Sequence, residues 1–307
     1  MKKRLIFWGE KYLFSPGIFE WLLSFLLLPL SLIYCLVVWI KYKTAVAADY
    51  GLPIVSIGNL IVGGSGKTPL TVALAKGFEK RIAVVLRGYG RLSKGLYVVS
   101  DGDKILCDVA CSGDEAMLYA TLLPEAVVIV SENRAEGIRK AKSMDVKVVF
   151  LDDAYSKHHI KKMDLLIVSK QKNPFCLPSG PYRERLWSDK EAFQVKEDED
   201  FKRKVEFCDA TDSMTLVTAI SKPQRLDPYL DARVKEKIYF PDHYNFNKQE
   251  LEDILRLTQS KSLLVTRKDA VKLQGFELPL SYLELELEVD ERIHQKIQEY
   301  AKITSLK

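Results

Sequence analysis

GGSGKT, at Gly63–Thr68, is the stretch of sequence that decides the fold. The apolar, β-branched segment Pro53–Ile57 precedes it, and the amphipathic segment Pro69–Phe78 follows it. A strand, a glycine-rich loop and a helix in this order are the context of a phosphate-binding loop. Glycines allow backbone N–H groups to turn towards phosphate oxygens, and the positive end of the following helix favours the same anion. The pattern therefore predicts an α/β unit that binds a nucleotide.

The loop also predicts which residues hold the nucleotide and its metal. The residues expected to bind ATP are Gly63, Gly64, Ser65, Gly66, Lys67, Thr68 and Pro69. Lys67 is expected to reach the β- and γ-phosphates, and the Thr68 hydroxyl to hold Mg²⁺. Ile61 stands where the strict pattern has its first glycine. A glycine-rich turn with an incidental Gly-Lys-Thr is the alternative, and it fits less well because strand, loop and helix all agree.

Length and composition are those of a globular protein that can form two α/β domains. The chain has 307 residues, of which 47% are hydrophobic and 28% are charged;. Its net charge of +5 is mild. Such a charge suits an anionic membrane surface better than a dedicated nucleic-acid binder, which would carry a stronger basic stripe. We therefore expect no nucleic-acid partner.

The cysteines indicate a reducing compartment. The five are too few and too scattered for a disulfide framework;. Cys107 and Cys111 lie close in sequence, but no second Cys or His pair completes a zinc pattern;. All five are interpreted as free thiols.

The N-terminal segment is expected to be a membrane anchor helix. No charged residue occurs from Leu22 to Ile40, and these nineteen residues would span about 28 Å as a helix;. Trp21 and Trp39 flank the segment, as interfacial aromatics do;. A cleaved signal peptide fits poorly because the apolar run is too long. A buried hairpin of two short helices broken at Pro29 remains open, and so does the choice between spanning the bilayer and lying in its cytoplasmic leaflet.

The remainder of the chain alternates between β-rich and helical segments, which predicts a parallel sheet covered on both faces. The predicted strands and helices of this core are 53–57, 82–86, 126–130, 147–151 and 164–168, and 69–79, 114–123 and 134–143. A second α/β pattern has strands near 215–220 and 262–266 and helices near 248–258 and 291–301. The charged segment 190–204 is interpreted as a solvated connector. The predicted organisation is an anchor helix in 1–43, a P-loop core in 44–204 and a smaller α/β domain in 205–307.

Two pairs of acidic residues are candidates for the chemistry. Asp152 and Asp153 follow the apolar run Val148–Leu151, and an acid at the carboxyl end of a parallel strand lies where such sheets bind ligands;. Either is a candidate Mg²⁺ partner, and a helix cap or turn is an equal alternative. Asp114 and Glu115 open a predicted helix. Complementing the helix dipole is a sufficient reason for acids there.

Basic residues and one histidine complete the candidates. Arg87 and Arg91 surround glycines after a predicted strand, as in an anion-binding loop or an ordinary basic loop;. His243 follows Asp242 in a chain with only four histidines. A single His is more often structural, so this pattern alone does not assign it a role.

Nine segments together resemble one family, the tetraacyldisaccharide 4'-kinases. They occur in the family's order and cover most of the chain after Tyr50. These segments are GNLIVGGSGKTP (58–69), RGYGR (87–91), SGDEAMLYA (112–120), NRAEG (133–137), FLDDAY (150–155), LPSGPYRE (177–184), KPQR (222–225), FPDHYNF (240–246) and VTRKDAVK (265–272).

The resemblance implies a kinase that moves the γ-phosphate of ATP to the 4'-hydroxyl of tetraacyldisaccharide 1-phosphate, in lipid A biosynthesis. It also implies a P-loop α/β/α core and a smaller α/β domain, joined by a strand linker that allows closure over the nucleotide. The expected location is the bacterial inner membrane, with the catalytic domains on its cytoplasmic face and the chain acting as a monomer.

The resemblance assigns roles to the candidate residues. Asp114 matches the aspartate that activates the acceptor hydroxyl, and His243 matches the histidine that partners it. Lys67 and Thr68 match the family's phosphate and Mg²⁺ residues. The residues that match the acids around the family's metal ion are Glu115, Asp152 and Asp153. The expected contacts to substrate or phosphates are Arg87, Arg91, Arg134 and Arg183.

Two departures from the family pattern affect these assignments. The family usually continues its double aspartate as Gly-Phe-Gln-His, whereas this chain has Ala154–Lys157 followed by His158 and His159. Either Lys157 supplies the charge of the missing histidine, or His158 is displaced into the site. The family commonly has Thr-Glu-Lys-Asp where this chain has Thr266–Asp269, and no function is assigned to Arg267.

Two other functions fit the glycine loop. One is a membrane-tethered nucleotide switch that hydrolyses ATP or GTP without phosphorylating an acceptor. The other is a kinase for a soluble small molecule. Acceptor dependence separates them, because a lipid kinase turns ATP over slowly alone and quickly with glycolipid.

Overall fold

A seven-stranded and a five-stranded sheet form the framework of the protein. The computed structural model describes residues 2–78, 81–242 and 244–305. The first sheet has the order β3-β4-β2-β5-β1-β6-β7. Its strands are β1 (Ile54–Asn59), β2 (Ile82–Leu86), β3 (Tyr97–Asp101), β4 (Val127–Val130), β5 (Val148–Asp152), β6 (Met163–Ile167) and β7 (Phe193–Val195).

The strands of the first sheet are parallel except at one edge. Every residue of β1, β2, β4 and β5 is buried, as expected for central parallel strands covered on both faces;. Only β3 runs antiparallel to its neighbour β4. The five strands predicted from the sequence are all present, and the predicted α/β fold is confirmed. The antiparallel edge strand β3 is an addition to it.

Helices cover both faces of this sheet. They are α4 (Lys67–Lys76), α5 (Val109–Ser112), α6 (Asp114–Leu122) and α7 (Arg134–Ser143). Ile138 and Ala141 of α7 pack in a cluster on one face, and Leu70 and Leu74 of α4 pack in a larger cluster on the other. The carboxyl ends of β1, β2 and β5 therefore meet the amino ends of these helices at one edge.

The second sheet has the order β10-β9-β11-β12-β8. Its strands are β8 (Phe201–Cys208), β9 (Met214–Thr218), β10 (Val234–Tyr239), β11 (Ser262–Thr266) and β12 (Leu280–Val289). The helices of this part are α8 (Lys248–Thr258), α9 (Arg267–Ala270) and α10 (Glu291–Ser305), with a 3₁₀-helix at Pro223–Tyr229. The pair β12–β8 is antiparallel, and the other pairs are parallel.

The chain passes between the two sheets at two places. The interpretation of 190–204 as a solvated connector is wrong, because this segment contains β7 and the first half of β8. The boundary expected between residues 204 and 205 therefore falls inside a strand of the second sheet. At the other end, α10 returns to the first sheet, where Ile293 and Ile297 join its core.

The N-terminal region forms three helices, α1 (Lys2–Phe14), α2 (Ile18–Leu26) and α3 (Leu28–Lys43). The expectation of one continuous helix over 22–40 is wrong, because the helix breaks at Leu27, directly before Leu28-Pro29. Within the described residues no single helix is long and apolar enough to cross a bilayer. The helices α2 and α3 meet that criterion only as a pair, bent by 59°.

Buried hydroxyl groups attach α2 and α3 to a loop after β6. This loop belongs to the first domain, which is built on the seven-stranded sheet, and the second domain is built on the five-stranded sheet. Ser24 Oγ donates to Ser179 O at 2.7 Å, and Ser31 Oγ donates to Cys176 O at 2.9 Å. Ser179 N donates to Ser31 Oγ at 2.9 Å. The pair of helices is therefore packed on this loop through its polar face, and its apolar face is directed outwards.

One disulfide corrects the interpretation of the cysteines. Cys35 on α3 and Cys176 are joined, with their Cα atoms 6.3 Å apart. Packing of α3 on the loop brings together two residues that are 141 apart in sequence, a contact that no spacing indicates. Cys107, Cys111 and Cys208 are free thiols, as expected.

Candidate active site

The glycine loop connects the carboxyl end of β1 to the first turn of α4. Gly63 and Gly66 have φ angles of +89° and +86°, which side-chain-bearing residues rarely adopt;. Lys67 Nζ lies 3.4 Å from Asn59 Oδ1 and 3.7 Å from Asp153 Oδ1. The loop, the amino end of α4 and the Lys67 ammonium group thus converge on one point, which is the arrangement that binds a phosphate chain.

Asp153 and Arg183 form the opposite side of this point. Arg183 Nη2 pairs with Asp153 Oδ1 and donates to Asn59 Oδ1 at 2.8 Å. Burial alone would raise the pKa of Asp153, but the charges of Lys67 and Arg183 hold it below its ordinary value;. The Asp153 carboxylate therefore interacts with two cations, Lys67 and Arg183. A more highly charged anion, such as a phosphate chain, can replace it as the partner of both.

Asp152 ends β5 beside Ile57 of β1 and is almost completely buried. Burial, and then the charge of Glu115, raise the pKa of Asp152 to about 7;. Its Oδ1 atom is buried and has no hydrogen-bond partner. A buried carboxylate oxygen without a hydrogen-bond partner is suited to bind a cation, because a buried polar atom is stable only when it is paired;.

The donor set fits Mg²⁺ in the way that phosphate-transferring enzymes use it. Within the described residues no group of three His, Cys, Asp or Glu side chains could hold a metal ion without other ligands. Mg²⁺ needs no such cage, since it is usually held by one or two carboxylates together with substrate phosphates and water. The unpartnered Asp152 Oδ1, with Glu115 as its charged neighbour, meets this requirement.

Asp114 and Glu115 occupy the first turn of α6 and pair with lysines from the second domain. Asp114 Oδ2 lies 3.2 Å from Lys272 Nζ, and Glu115 Oε1 lies 3.6 Å from Lys268 Nζ. Lys268 Nζ is also 3.7 Å from Asp242 Oδ1. Burial would lower the pKa of Lys268, but these acids raise it above its ordinary value. His243, predicted to partner Asp114, lies outside the described residues.

A pocket of about 100 Å³ adjoins Asp153 and collects three of the predicted arginines. Arg87, Arg134 and Arg183 line it. Arg134 is buried and donates to Ser131 O at 2.7 Å and to Asp152 O at 3.3 Å. Burial lowers the pKa of Arg134. Glu132, Asp153 and Glu184 line it as well, so the basic side chains of the pocket only slightly outnumber its carboxylates. The pocket lies beside the phosphate-binding point.

Arg91 does not line this pocket. Its side chain is 2% exposed and forms an ion pair with Glu132 at 2.5 Å. Its guanidinium group also donates to Gly95 O and Ser93 Oγ. These contacts fix the loop after β2, so the structure separates Arg91 from the other predicted arginines.

The altered segment after the double aspartate places a lysine in the pocket instead of a histidine. Lys157 lines the pocket, and burial together with Arg134 lowers its pKa. His158 lies elsewhere, with Nδ1 2.9 Å from Lys190 Nζ and its ring against Tyr42 and Tyr155. Of the two residues considered from the sequence, the structure places Lys157, and not His158, among those that line the pocket.

Sequence reasoning missed three residues of the site. Asn59 accepts from both Lys67 and Arg183, and Lys268 and Lys272 pair with the acids of α6. A polar residue at the end of an apolar strand was a usable signal for Asn59. The four-residue spacing of the two lysines was a signal that they lie on one side of a helical turn.

Comparison with known proteins gives consistent matches. A family profile described as Tetraacyldisaccharide-1-P 4'-kinase matches residues 23–206 and 190–302. A Tetraacyldisaccharide 4'-kinase of Aliarcobacter butzleri is 48% identical over 303 residues, which cover 95% of this chain and 96% of that protein. One of Helicobacter acinonychis is 47% identical over 294 residues, with 95% and 94% covered. Among solved structures, LpxK from Aquifex aeolicus in complex with ATP superposes with a TM-score of 0.72 at 25% identity, over 91% of this chain and 99% of that one.

Proposed function

Because this chain belongs to the tetraacyldisaccharide-1-phosphate 4'-kinase family, we propose how its own residues perform phosphoryl transfer at a membrane surface. The activity is transfer of the γ-phosphate of ATP to the 4'-hydroxyl of tetraacyldisaccharide 1-phosphate in lipid A biosynthesis. The proposal concerns the role of each residue in this reaction and the way in which the enzyme binds its membrane-embedded substrate.

One observation carries the proposal: Lys67 lies between Asn59 and Asp153 at the mouth of the glycine loop. A distance of 3.7 Å is too long for a hydrogen bond, so Lys67 and Asp153 interact through their charges alone;. When ATP is present, its phosphates are a stronger partner for this ammonium group than a single carboxylate. Lys67 then stabilises charge on the β- and γ-phosphates, while Gly63–Thr68 supply backbone N–H groups.

Asp152, Asp153, Glu115 and the Thr68 hydroxyl are proposed to hold Mg²⁺. Mg²⁺ supplies neutralisation of the charge that develops on the transferred phosphate. Asp152 contributes the carboxylate oxygen that has no other hydrogen-bond partner. Asp153, bound by Arg183, positions that arginine at the edge of the phosphate site.

Asp114 is proposed to accept the proton of the 4'-hydroxyl. It lies at the first position of α6, where the helix dipole interacts favourably with a negative charge;. Lys272 Nζ lies 3.2 Å from its Oδ2 atom and holds the carboxyl group in place. A carboxylate held in this way can accept a proton as the hydroxyl oxygen forms its bond to phosphorus. The role of His243 stays a prediction, since that residue lies outside the described part of the chain.

The basic side chains of the pocket beside Asp153 are proposed to contact the phosphates or the anionic acceptor. Arg87, Arg134, Arg183 and Lys157 line it together. Arginine presents a planar fork of donors that matches phosphate oxygens, so these side chains orient the reacting groups as well as attract them. We propose that Arg91 positions the loop after β2 through its ion pair with Glu132, and that it does not contact the substrate or the phosphates.

The apolar face of α2 and α3 is proposed to lie in the cytoplasmic leaflet of the inner membrane. Ile18, Phe19 and Leu26 are 80%, 83% and 76% exposed, whereas Glu20, Ser24 and Ser31 are buried against the protein. A helix pair with one polar side and one broad apolar side suits the membrane interface. This arrangement holds the catalytic domains, acting as a monomer, at the surface where the acylated substrate lies.

Transfer of labelled γ-phosphate from ATP to tetraacyldisaccharide 1-phosphate in detergent micelles tests the catalytic proposal. We expect labelled lipid with the natural chain and at least a hundredfold less with Lys67→Ala, since such variants remove an interaction made with the transferred group. ATP hydrolysis without labelled lipid would support the nucleotide-switch alternative instead.

Flotation with anionic lipid vesicles tests the membrane proposal separately. Replacing Ile18, Phe19 and Leu26 by Ser should release the protein from vesicles, because each buried side chain contributes about 1.5–3 kcal/mol. Leu92 and Leu257 are both 82% exposed elsewhere on the surface, and their replacement by Ser is the matched control. Equal flotation of both variants would exclude this face as the anchor.

A further inference from the structure

Three residues from the second domain reach the glycine loop. A Cβ atom built on Gly64 would lie 2.4 Å from Ser221 Oγ, and one on Gly63 would lie 3.9 Å from Lys222 Cε. A Cβ atom on Gly66 would lie 3.1 Å from Arg203 Nη2. Ser221 and Lys222 follow β9, and Arg203 lies on β8. The phosphate-binding loop is therefore covered by the second sheet as well as formed by the first.

Arg203 is the most closely placed of these charges. Its side chain is 14% exposed, and its guanidinium group lies beside Gly66, directly before the first turn of α4. The amino end of a helix carries a partial positive charge, and Lys67 adds a full one. Arg203 is therefore a third positive group beside the amino end of α4 and Lys67. This arrangement is unfavourable unless an anion binds to all three.

Glu197 is the anion that Arg203 uses in this structure. Arg203 Nε donates to Glu197 Oε1, and Arg203 Nη2 donates to Glu197 Oε2 at 3.2 Å. Glu197 lies in the short segment between β7 and β8, so the carboxylate comes from the crossing between the sheets. This forked contact uses the same two donors that arginine presents to a phosphate group.

We propose that Arg203 binds the β- and γ-phosphates of ATP at Gly66, exchanging the Glu197 carboxylate for phosphate oxygens. The inference rests on the glycine loop as the ATP site and goes beyond the roles assigned above, in which every nucleotide contact comes from the first domain. A phosphate chain carries more negative charge than one carboxylate, so it satisfies Lys67, the helix end and Arg203 together. Only the Glu197 side chain is released in the exchange, because backbone hydrogen bonds from Asp198 N to Phe201 O and from Asp200 N to Lys196 O hold the segment itself.

Nucleotide affinity of the full chain, measured by displacement of a fluorescent ATP analogue without acceptor lipid, tests the proposal. Arg203→Gln should raise the Kd for ATP and ADP about ten- to a hundredfold, as loss of a charge-assisted hydrogen bond does. The Kd for AMP should stay unchanged, because AMP lacks the phosphates concerned. Lys202→Gln, at the exposed neighbouring position of β8, is the matched control and should leave all three affinities unchanged.

Two further variants separate phosphate binding from a purely structural ion pair. Glu197→Gln removes the competing carboxylate and should lower the Kd for ATP severalfold, whereas a structural pair would give equal or weaker binding. Arg203→Lys keeps the charge without the fork and should give an intermediate Kd. Unchanged ATP affinity in Arg203→Gln, or an equal loss for AMP, would overturn the proposal. Since no lipid is needed, failure of lipid phosphorylation would leave this readout intact.

Discussion

Lys272 Nζ lies 3.2 Å from Asp114 Oδ2, and the two side chains are only 7% and 5% exposed. Asp114 begins a helix of the first domain, and Lys272 follows α9 of the second. Lys272 also donates to Tyr244 O at 3.3 Å. This buried ion pair crosses between the domains and therefore ties the proposed base to the position of the second domain.

Lys272→Met should impair both folding stability and turnover. Removing one partner of a buried ion pair costs about 3–5 kcal/mol, because the other charge stays buried with less compensation. Thermal unfolding and labelled-phosphate transfer measure the two effects. Lys248→Met, at an exposed position on α8, is the control. A variant with natural Tm and natural kcat would show that Asp114 does not depend on this lysine.

Gly64→Ala should lower kcat/KM for ATP at least about tenfold, because the new methyl group would meet Ser221 Oγ at 2.4 Å;. In the double variant Gly64→Ala/Ser221→Ala the oxygen is gone, and the nearest remaining atom, Ser221 Cβ, is 3.7 Å away. We therefore expect the second substitution to restore most of the activity. No recovery would mean that Gly64 is needed for its own backbone contact to phosphate and not for space.

His158 should destabilise the protein in mild acid. Burial, with the charges of Lys190 and Lys162, lowers the pKa of His158 from 6.5 to about 3. Its folded form is neutral, so below pH 6.5 only the unfolded chain takes up the proton, and stability falls progressively towards pH 3. The loss from this group should reach about 1.4 kcal/mol at pH 5.5.

Urea unfolding at pH 7.5 and pH 5.5 measures this loss. His158→Asn retains an acceptor for Lys190, which donates to His158 Nδ1 at 2.9 Å, and should show a smaller difference between the two pH values. His294→Asn on α10 is the control and should keep the natural difference. An equal difference in all three proteins would place the acid sensitivity in other groups.

Ser24→Ala and Ser31→Ala should each loosen the helix pair from the 176–179 loop. Ser31→Ala leaves the buried Ser179 N–H without its acceptor, at a cost of about 1–3 kcal/mol;. Ser24→Ala removes one of two hydrogen bonds to Ser179 O, which still accepts from Asn173 Nδ2, so its cost should be smaller, about 0.5–1.5 kcal/mol;. Thermal unfolding in detergent micelles should therefore show a lower Tm for both. Thr44→Ala removes a hydroxyl that bonds only within its own exposed helix end, to Ile40 O, and should stay within about 0.5 kcal/mol of the natural chain;. Three equal Tm values would contradict the packing described for α2 and α3.

Strands whose residues are all buried could be predicted from the sequence. Strands in which buried and exposed residues alternate were missed. Continuous apolar runs such as Ile82–Leu86 and Val127–Val130 gave strands at nearly their observed bounds. In β8, charged residues alternate with apolar ones, because the strand is only half covered. That pattern resembles a charged linker when the sheet partner β12, some 80 residues later, is unknown.

The candidate site was predictable in its local parts and not in its long-range ones. The glycine loop and the acids after β5 carry their own sequence context, and the structure places both beside Asn59. The partners Lys268 and Lys272 come from a different sheet, so no local pattern connects them to α6. Whether Lys157 or His158 lines the pocket depends on the local backbone conformation, which the sequence pattern does not specify.

The two crossings between the sheets lie side by side. β8 leaves the first sheet after β7, β12 returns to it through α10, and these two strands pair antiparallel from Phe201 to Cys208. Asp290 N donates to Asp200 O at 2.9 Å, which joins the crossings at their base. Two adjacent connections between the domains restrict their relative rotation more than a single connection would. We therefore expect the second domain to swing about one axis, so that Arg203, Ser221 and Lys272 approach or leave the first domain in a single movement.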